Sequence, residues 1–328
     1  MPDIWEWTSG GPQAPEKACP PVAAYHIRME LMTLFQPMFA TFWGGGALSA
    51  YEAACINSYV AHGYIFTLYS YEAIENLPPG VVNGDAREIT DPSNMTRFRI
   101  RGKPNLSHFS DLFRYELSHK TDNIWVDADM LMLRRLDLPR WDLLIAKEDP
   151  TSICGAIMRL ERDNPKLDRL VEETLALRDR DLVWGATGPR LLTSLFGRQA
   201  VMQDSYAPQY FFPIHFREAW KMLLPQYRQE CEKLCASAYT LHLWNDQMVR
   251  IGIWKRFAPP RGSFLAECFA ATDGLRFFED FYPLSVMENM VSNWRFRCEG
   301  GEIGMGQWLR RALPSVRVTW RRRLNLPT

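Results

Sequence analysis

From Phe39 onward, short apolar runs alternate with segments of helical periodicity, and that alternation leaves little room for anything but a layered α/β fold. Strands are expected over Ala40–Trp43, Ile65–Leu68, Ile124–Leu133, Leu143–Lys147, Cys154–Arg159 and Ala238–Leu243. Helices are expected from Ser49 to His62, from Ser107 to Lys120, and over Pro165–Arg178 and Pro189–Phe196. Pro189 suits a first helical turn entered from Thr187-Gly188. The pattern predicts an α/β sandwich on a mostly parallel sheet. Residues 1–36, with Gly10-Gly11-Pro12 and Cys19-Pro20-Pro21, read as an N-terminal arm. Residues 37–258 read as the main α/β domain. After the break at Pro259-Pro260-Arg261-Gly262, residues 259–328 read as an aromatic-rich helical extension.

Charge and cysteine usage narrow the setting. The 38 basic and 38 acidic residues balance, so no global field recruits nucleic acid. Arg310, Arg311, Arg317, Arg321, Arg322 and Arg323 nevertheless make the C-terminal end basic. This reads as a solvated tail, with weak peripheral contact to an anionic membrane as the alternative. The seven cysteines are odd in number and widely scattered, which predicts free thiols in a reducing compartment. Cys231 and Cys235 lie i,i+4, but no second pair matches their spacing, so both are expected as buried thiols. The apolar stretch from Met29 to Trp43 is interrupted by Glu30, Gln36 and Pro37 and fits neither a signal peptide nor a membrane span. A cytoplasmic location follows as an expectation, which makes the acceptor patterns Asn94-Met95-Thr96 and Asn105-Leu106-Ser107 coincidental.

Chemistry concentrates where Ile124-Trp125-Val126 runs into Asp127-Ala128-Asp129-Met130-Leu131. Two carboxylates at the end of an apolar strand are costly unless a cation meets them. On one continuous strand, alternation would point Asp127 and Asp129 to the same side as Trp125, facing one divalent ion. A plain strand-end turn is the commoner origin of an isolated Asp-x-Asp. Just upstream, Phe109, Leu112, Phe113 and Leu117 recur at helical spacing, while Asp111, Arg114 and Ser118 fall on the other face. Taken alone, Asp111 and Arg114 read as an i,i+3 surface ion pair worth about 0.2–0.5 kcal/mol.

Ser110-Asp111-x-x-Arg114, with Asp127 of the Asp-x-Asp sixteen positions after Asp111, resembles the DXD-motif sugar-binding family of glycosyltransferases. That family includes α-1,4-galactosyltransferases, fungal initiating mannosyltransferases, bacterial capsule glycosyltransferases and, distantly, the glucosylating domain of large clostridial toxins. Other blocks match in order. Phe42-Trp43-Gly44-Gly45, Leu48-Ser49 and Asn57-Ser58-Tyr59-Val60-Ala61-His62-Gly63 resemble the family's first strand and the helix behind it. Leu68-Tyr69-Ser70-Tyr71 resembles its second strand, Thr187-Gly188-Pro189 its loop before a helix, and His242-Leu243-Trp244-Asn245 its late histidine motif. The resemblance covers roughly two-thirds of the chain. It departs at Thr121-Asp122-Asn123, where many members carry Gly-Gly; Asn and Asp tolerate the left-handed turn that glycine supplies.

The resemblance implies a GT-A-like, Rossmann-type α/β sandwich and a retaining glycosyltransferase. Its donor would be a nucleotide-sugar, a UDP-sugar first, and its acceptor a glycan, a lipid-linked glycan or another hydroxyl. It implies dependence on Mn2+ or Mg2+ held by Asp127 and Asp129, with His242 as third ligand or diphosphate contact. Arg114 would offset the charge of the leaving diphosphate, and Asp111 would hydrogen-bond donor hydroxyls. Trp43 would stack on the base and Gly44 would let the backbone pass close to the nucleotide. Thr187, Gly188 and Asn245 would complete the donor site. Glu148 and Asp149 fall near the expected acceptor entrance, though a solvated strand-end acidic pair is the simpler reading. Two other functions compete. One is an Asp-dependent phosphohydrolase, for which Met130-Leu131 stands where Thr or Val is usual. The other is a noncatalytic sugar-nucleotide-binding module.

Overall fold

The computed structural model describes residues 37–139 and 141–300; the N-terminal arm, Cys19 and the basic stretch Arg310–Arg323 lie outside them. In chain order the main elements are β1 (Met38–Phe42), α1 (Ala50–Ala61), β2 (Ile65–Ser70) and β3 (Val82–Asp85). Then come α2 (Leu106–Lys120), β4 (Ile124–Val126), β5 (Met130–Met132), β6 (Leu143–Asp149) and β7 (Ser152–Leu160). The chain continues through α3 (Pro165–Leu175), α4 (Pro189–Gln199), α5 (Arg228–Leu234) and β8 (Thr240–His242). It closes with α6 (Asn245–Ile251), α7 (Phe264–Ala271) and α8 (Leu284–Cys298).

Six strands form one sheet in the order β3-β2-β1-β4-β7-β6. The first four run parallel, whereas β7 is antiparallel to both β4 and β6. This is the mostly parallel α/β sheet expected, with the GT-A-like arrangement of helices on both faces. On one face Phe109, Leu112 and Phe113 of α2 and Leu167 and Leu170 of α3 pack over Trp125 and Met158. On the other, Ile56 and Tyr59 of α1 cover Phe39, Phe66 and Val126. Each fully buried Phe or Leu contributes roughly 1.5–3 kcal/mol, so the periodicity that marks the helices is also what attaches them to the sheet. A third cluster joins Tyr51 and Ala54 of α1 to Leu131 and Leu241, and to Leu265, Phe269, Met287 and Trp294 of α7 and α8.

Local signals explain several boundaries. Asn105 caps α2, its side chain accepting from the His108 N–H at 3.1 Å, and Asn164 caps α3 the same way for Lys166. Asn94 is buried and bonded to Thr90, so both acceptor-pattern asparagines are in structural use. The six described cysteines are all free thiols, with Cys231 and Cys235 buried. Among the described residues no helix is long and apolar enough to cross a membrane.

Two expectations need correction. The strand predicted over Ile124–Leu133 is two strands in two sheets: β4 stops at Val126, residues 127–129 turn, and β5 pairs antiparallel with β8. The Asp127 N–H still reaches the Ala156 carbonyl at 2.8 Å, but the Met130 N–H then closes back on Asp127 O at 3.0 Å and the sheet ladder ends. The link Thr121-Asp122-Asn123 also needs no left-handed residue; Thr121 is extended, with φ −137°.

Candidate functional site

In parallel sheets, ligands bind beyond the carboxyl ends of the strands. Here β1 leads into Trp43-Gly44 and β4 leads into Asp127, the two strands being neighbours in the sheet. Asp127 and Asp129 converge through the turn rather than through the strand pleat. The antiparallel ribbon of β5 and β8 sets His242 opposite Met130, next to Asp129. The result is a cluster in which one ligand atom from each of Asp127, Asp129 and His242 lies within 4.8 Å of the others.

Asp129 is held from two sides. His242 Nε2 lies 3.3 Å from Asp129 Oδ1, and the Asn245 backbone N–H donates to Oδ2 at 2.8 Å. That second bond depends on Trp244, which adopts the left-handed conformation at φ 54°, rare for a non-glycine residue. Its ring lies 4.1 Å from the His242 ring and its indole N–H bonds the Ile214 carbonyl at 2.8 Å, so packing holds the strained turn in place. Burial acts to raise the Asp129 pKa, but His242 and the Asn245 N–H outweigh it and hold the carboxyl below its usual range. Burial acts to lower His242, and Asp129 reverses that, leaving the imidazole above its ordinary value.

Asp127 belongs to a second pairing. Its Oδ1 accepts from the Trp125 indole N–H at 2.8 Å and lies 3.2 Å from Arg114 Nη2. Burial pushes the Asp127 carboxyl up, against the opposing pull of Arg114. Arg114 is 5% exposed, lies over the Trp125 ring at 5.0 Å, and reaches Asp111 Oδ1 at 3.3 Å. Asp111 and Arg114 are therefore a buried pair and not the surface pair that their spacing alone predicts. Arg114 joins α2 to the strand-end turn.

Behind Asp111 runs a buried chain of donors. The Thr187 hydroxyl donates to Asp111 Oδ2 at 2.7 Å, and His108 Nδ1 lies 2.6 Å from that hydroxyl. With the Thr187 proton committed to the carboxylate, His108 must donate through Nδ1. Tyr115 anchors the Thr187 carbonyl at 2.8 Å. Thr187 is fully buried, and the bonds of its side chain run to Asp111 and His108. A Cβ at Gly188 would sit 2.9 Å from both Asp111 oxygens, so only glycine leaves the carboxylate its place.

The remaining expected residues lie at the rim. Trp43 is half-buried against the α1-side core, and its buried indole N–H has no partner among the described residues. Gly44 is exposed, and Gly45 and Gly46 take left-handed φ values of 113° and 71°, which glycine adopts freely. Asn245 contributes through its backbone N–H at the start of α6.

Near the site, Gly155 escaped the sequence reading, and Glu148, weighed there as an acceptor-side or a solvated acid, differs from the simpler of those two readings. Gly155 on β7 faces Arg114, where a Cβ would meet Nη1 at 2.4 Å. Glu148 is not a solvated strand-end acid. The pairs Lys147–Ile153 and Asp149–Ser152 leave it as the extra residue of a bulge, half-buried, with burial pushing its carboxyl up and His242 in its field. Asp149 makes the turn, accepting from the Thr151 N–H at 2.7 Å.

The cluster of two carboxylates and one imidazole offers hard oxygen donors with one nitrogen, a set that fits Mn2+ and, less closely, Mg2+. No protein-family model matches the chain. Over 157 residues it is 26% identical to the lactosylceramide 4-alpha-galactosyltransferases of Homo sapiens and Pan troglodytes, covering 42% of this chain and 41% of each relative. The protein of the same name from Mus musculus is 27% identical over 162 residues, 45% of this chain and 44% of the relative. The chain thus spans less than half the length of these curated relatives, and the likeness is a distant one to an α-galactosyltransferase.

Proposed function

We propose that the protein is a divalent-metal-dependent, retaining glycosyltransferase that moves a sugar from a nucleotide-sugar, a UDP-sugar first, to a hydroxyl of a glycan or glycolipid. The observation that carries this reading is the convergence of Asp127, Asp129 and His242 beside the buried Arg114, at the carboxyl ends of β1 and β4. The distant similarity to lactosylceramide 4-alpha-galactosyltransferases supports it. Asp127, Asp129 and His242 would hold Mn2+ or Mg2+. When bound, the ion supplies Lewis-acid stabilisation of the departing diphosphate.

The chain's own residues do the rest. Arg114, fixed by Asp111, Asp127 and Trp125, keeps a permanent positive charge where diphosphate charge develops. Asp111 keeps carboxylate lone pairs available to donor hydroxyls while Thr187 and Arg114 fix its orientation. Trp43 offers its ring to the base and Gly44 offers close backbone approach. The acceptor oxygen bonds to the anomeric carbon as the sugar–phosphate bond breaks, on the same face, and the hydroxyl proton leaves with the diphosphate. A cytoplasmic location, with peripheral membrane contact through the basic C-terminus, belongs to the same proposal.

The test is a panel of nucleotide-sugars in calorimetry and turnover assays, with Mn2+ and with excess chelator. Binding and turnover should require the ion and should fall by about 10²–10³ in Asp129→Asn, the cost of losing one transition-state electrostatic contact. Full turnover in chelator, or in a folded Asp129→Asn protein, sinks the assignment.

A further inference from the structure

Among the described residues, Glu148 is an acidic side chain beside the cluster that neither the candidate metal-binding set nor the Arg114 pairing uses. Its placement follows from strand geometry. β6 is the edge strand of the sheet, and between the pairs Lys147–Ile153 and Asp149–Ser152 it carries one residue more than β7. Such bulges twist an edge strand and re-aim the unpaired side chain. On β6, Leu144 and Ala146 belong to the core cluster that also holds Cys154 and Phe212, with Trp43 packed against it, and the bulge at Glu148 interrupts the alternation beyond Ala146. Phe212 in turn lies against the His242 ring at 5.7 Å.

The contacts of Glu148 place it. The Ser152 hydroxyl donates to Glu148 Oε1 at 3.3 Å, and the Cys154 thiol acts to lower the Glu148 pKa. Cys154 itself lies in the field of both Asp127 and Arg114. Cys154 precedes Gly155, whose Cβ position lies 2.4 Å from Arg114 Nη1, so Glu148 lies beside the stretch of β7 that packs on Arg114, and His242 acts on its carboxyl. Among the described residues the hydrogen-bond donor to Glu148 is a neutral hydroxyl, and no ion pair is made to it. A half-buried carboxylate with no cationic partner of its own has acceptor capacity to spare, and leaving that capacity unused inside a protein is costly. Neutral hydroxyl donors are what a sugar brings.

We propose that Glu148 is the acceptor-positioning residue of this site, taking a hydrogen bond from a hydroxyl of an incoming sugar ring and so setting which acceptor is held beside the donor. This rests on the glycosyltransferase reading above.

The experiment compares the full chain with Glu148→Gln and Glu148→Ala, using UDP with Mn2+ as the binding probe and a panel of methyl glycosides as acceptors. The readouts are the UDP affinity, the KM for each glycoside, and the ratio of sugar transfer to hydrolysis of the donor by water. UDP affinity should stay within twofold in both variants. The best glycoside should show a KM raised at least tenfold in Glu148→Ala and a transfer-to-hydrolysis ratio lowered as much. Glu148→Gln, which keeps one accepting oxygen, should fall in between or change its order of preference among the glycosides. A variant that binds UDP and keeps the wild-type KM, ratio and preference overturns the proposal while leaving the transferase reading intact. A wild-type protein that hydrolyses donor but uses no glycoside overturns the sugar-acceptor assignment, and one that binds no nucleotide overturns both readings.

Discussion

Replacing Gly155 by Ala should damage the site through a residue that carries no charge and touches no ligand. A Cβ built there lies 2.4 Å from Arg114 Nη1 and 3.2 Å from Leu192 Cδ1. To restore an ordinary contact of about 3.5 Å, Nη1 must retreat by about 1 Å. Arg114 cannot swing freely, because Asp111, Asp127, the Trp125 ring and the Ser110 carbonyl hold it in a buried position. A 1 Å shift takes pairings that now measure 3.3 and 3.2 Å beyond hydrogen-bond reach. Overpacking costs about 1–3 kcal/mol. Against that, removing a glycine whose φ is not left-handed gains about 0.4–1 kcal/mol by restricting the unfolded chain. The net loss of stability should therefore stay below about 3 kcal/mol, whereas misplacing one charge-stabilising group costs about 2.7–4 kcal/mol at the transition state. Turnover should fall by about 10²-fold in a protein that still melts cooperatively. Thermal unfolding and transfer rate, measured on one preparation, separate the two effects. A Gly155→Ala protein with wild-type turnover would show that Arg114 either yields at no cost or does no work in the reaction.

Trp43→Ala should weaken UDP binding by about 1–3 kcal/mol if the ring stacks on the base; a folded variant with unchanged UDP affinity removes Trp43 from the site. His242 has a folded-state pKa raised above its ordinary value of about 6.5. Its pairing with Asp129 therefore stabilises the metal-free fold fully below about pH 6.5 and progressively less as pH rises through the folded pKa. A metal ligand must be the neutral ring, so Mn2+ affinity should climb over the same window, and a calorimetric titration showing no pH dependence would refute the His242 assignment.

What the sequence made legible was local. The 3.6-residue period of Phe109, Leu112, Phe113 and Leu117 places Asp111 and Arg114 on one helix face, and the order of the motif blocks places that helix beside β4. The same reasoning did not find that the pair is buried, because burial comes from β7 and α4, which cross over Arg114 at Gly155 and Leu192. The turn at Asp127–Asp129 is the commoner origin of an Asp-x-Asp, yet one strand over Ile124–Leu133 is the expectation, since an apolar run gives no sign of where a strand leaves its sheet for another partner. The bulge at Glu148 depends on register with a strand that follows it, and register is a property of two segments rather than one. Thr187 carried a local signal, the Thr-Gly-Pro loop, but its role as a buried donor to Asp111 rests on a contact across 76 positions.

Charge explains why these pieces belong together. Asp111 and Asp127 pair with one guanidinium, Arg114, and Asp129 pairs with His242, so with a neutral His242 the group carries two negative charges in excess. Protonating His242 offsets one of them and pairs with Asp129, consistent with the raised pKa of the ring and the lowered pKa of the carboxyl. One negative charge then remains in excess, and Asp127 is the carboxyl that burial pushes up. Buried ion pairs of this kind add little to stability when set against apolar packing of the same volume. In the proposed reaction a cation of charge two would neutralise the cluster and favour the neutral ring of His242, so that carboxylates which otherwise repel an anionic diphosphate would admit it. The same arithmetic would require Arg114 to be rigid, since among the described residues of this group it is the one permanent positive charge and it already serves both Asp111 and Asp127 from a single position.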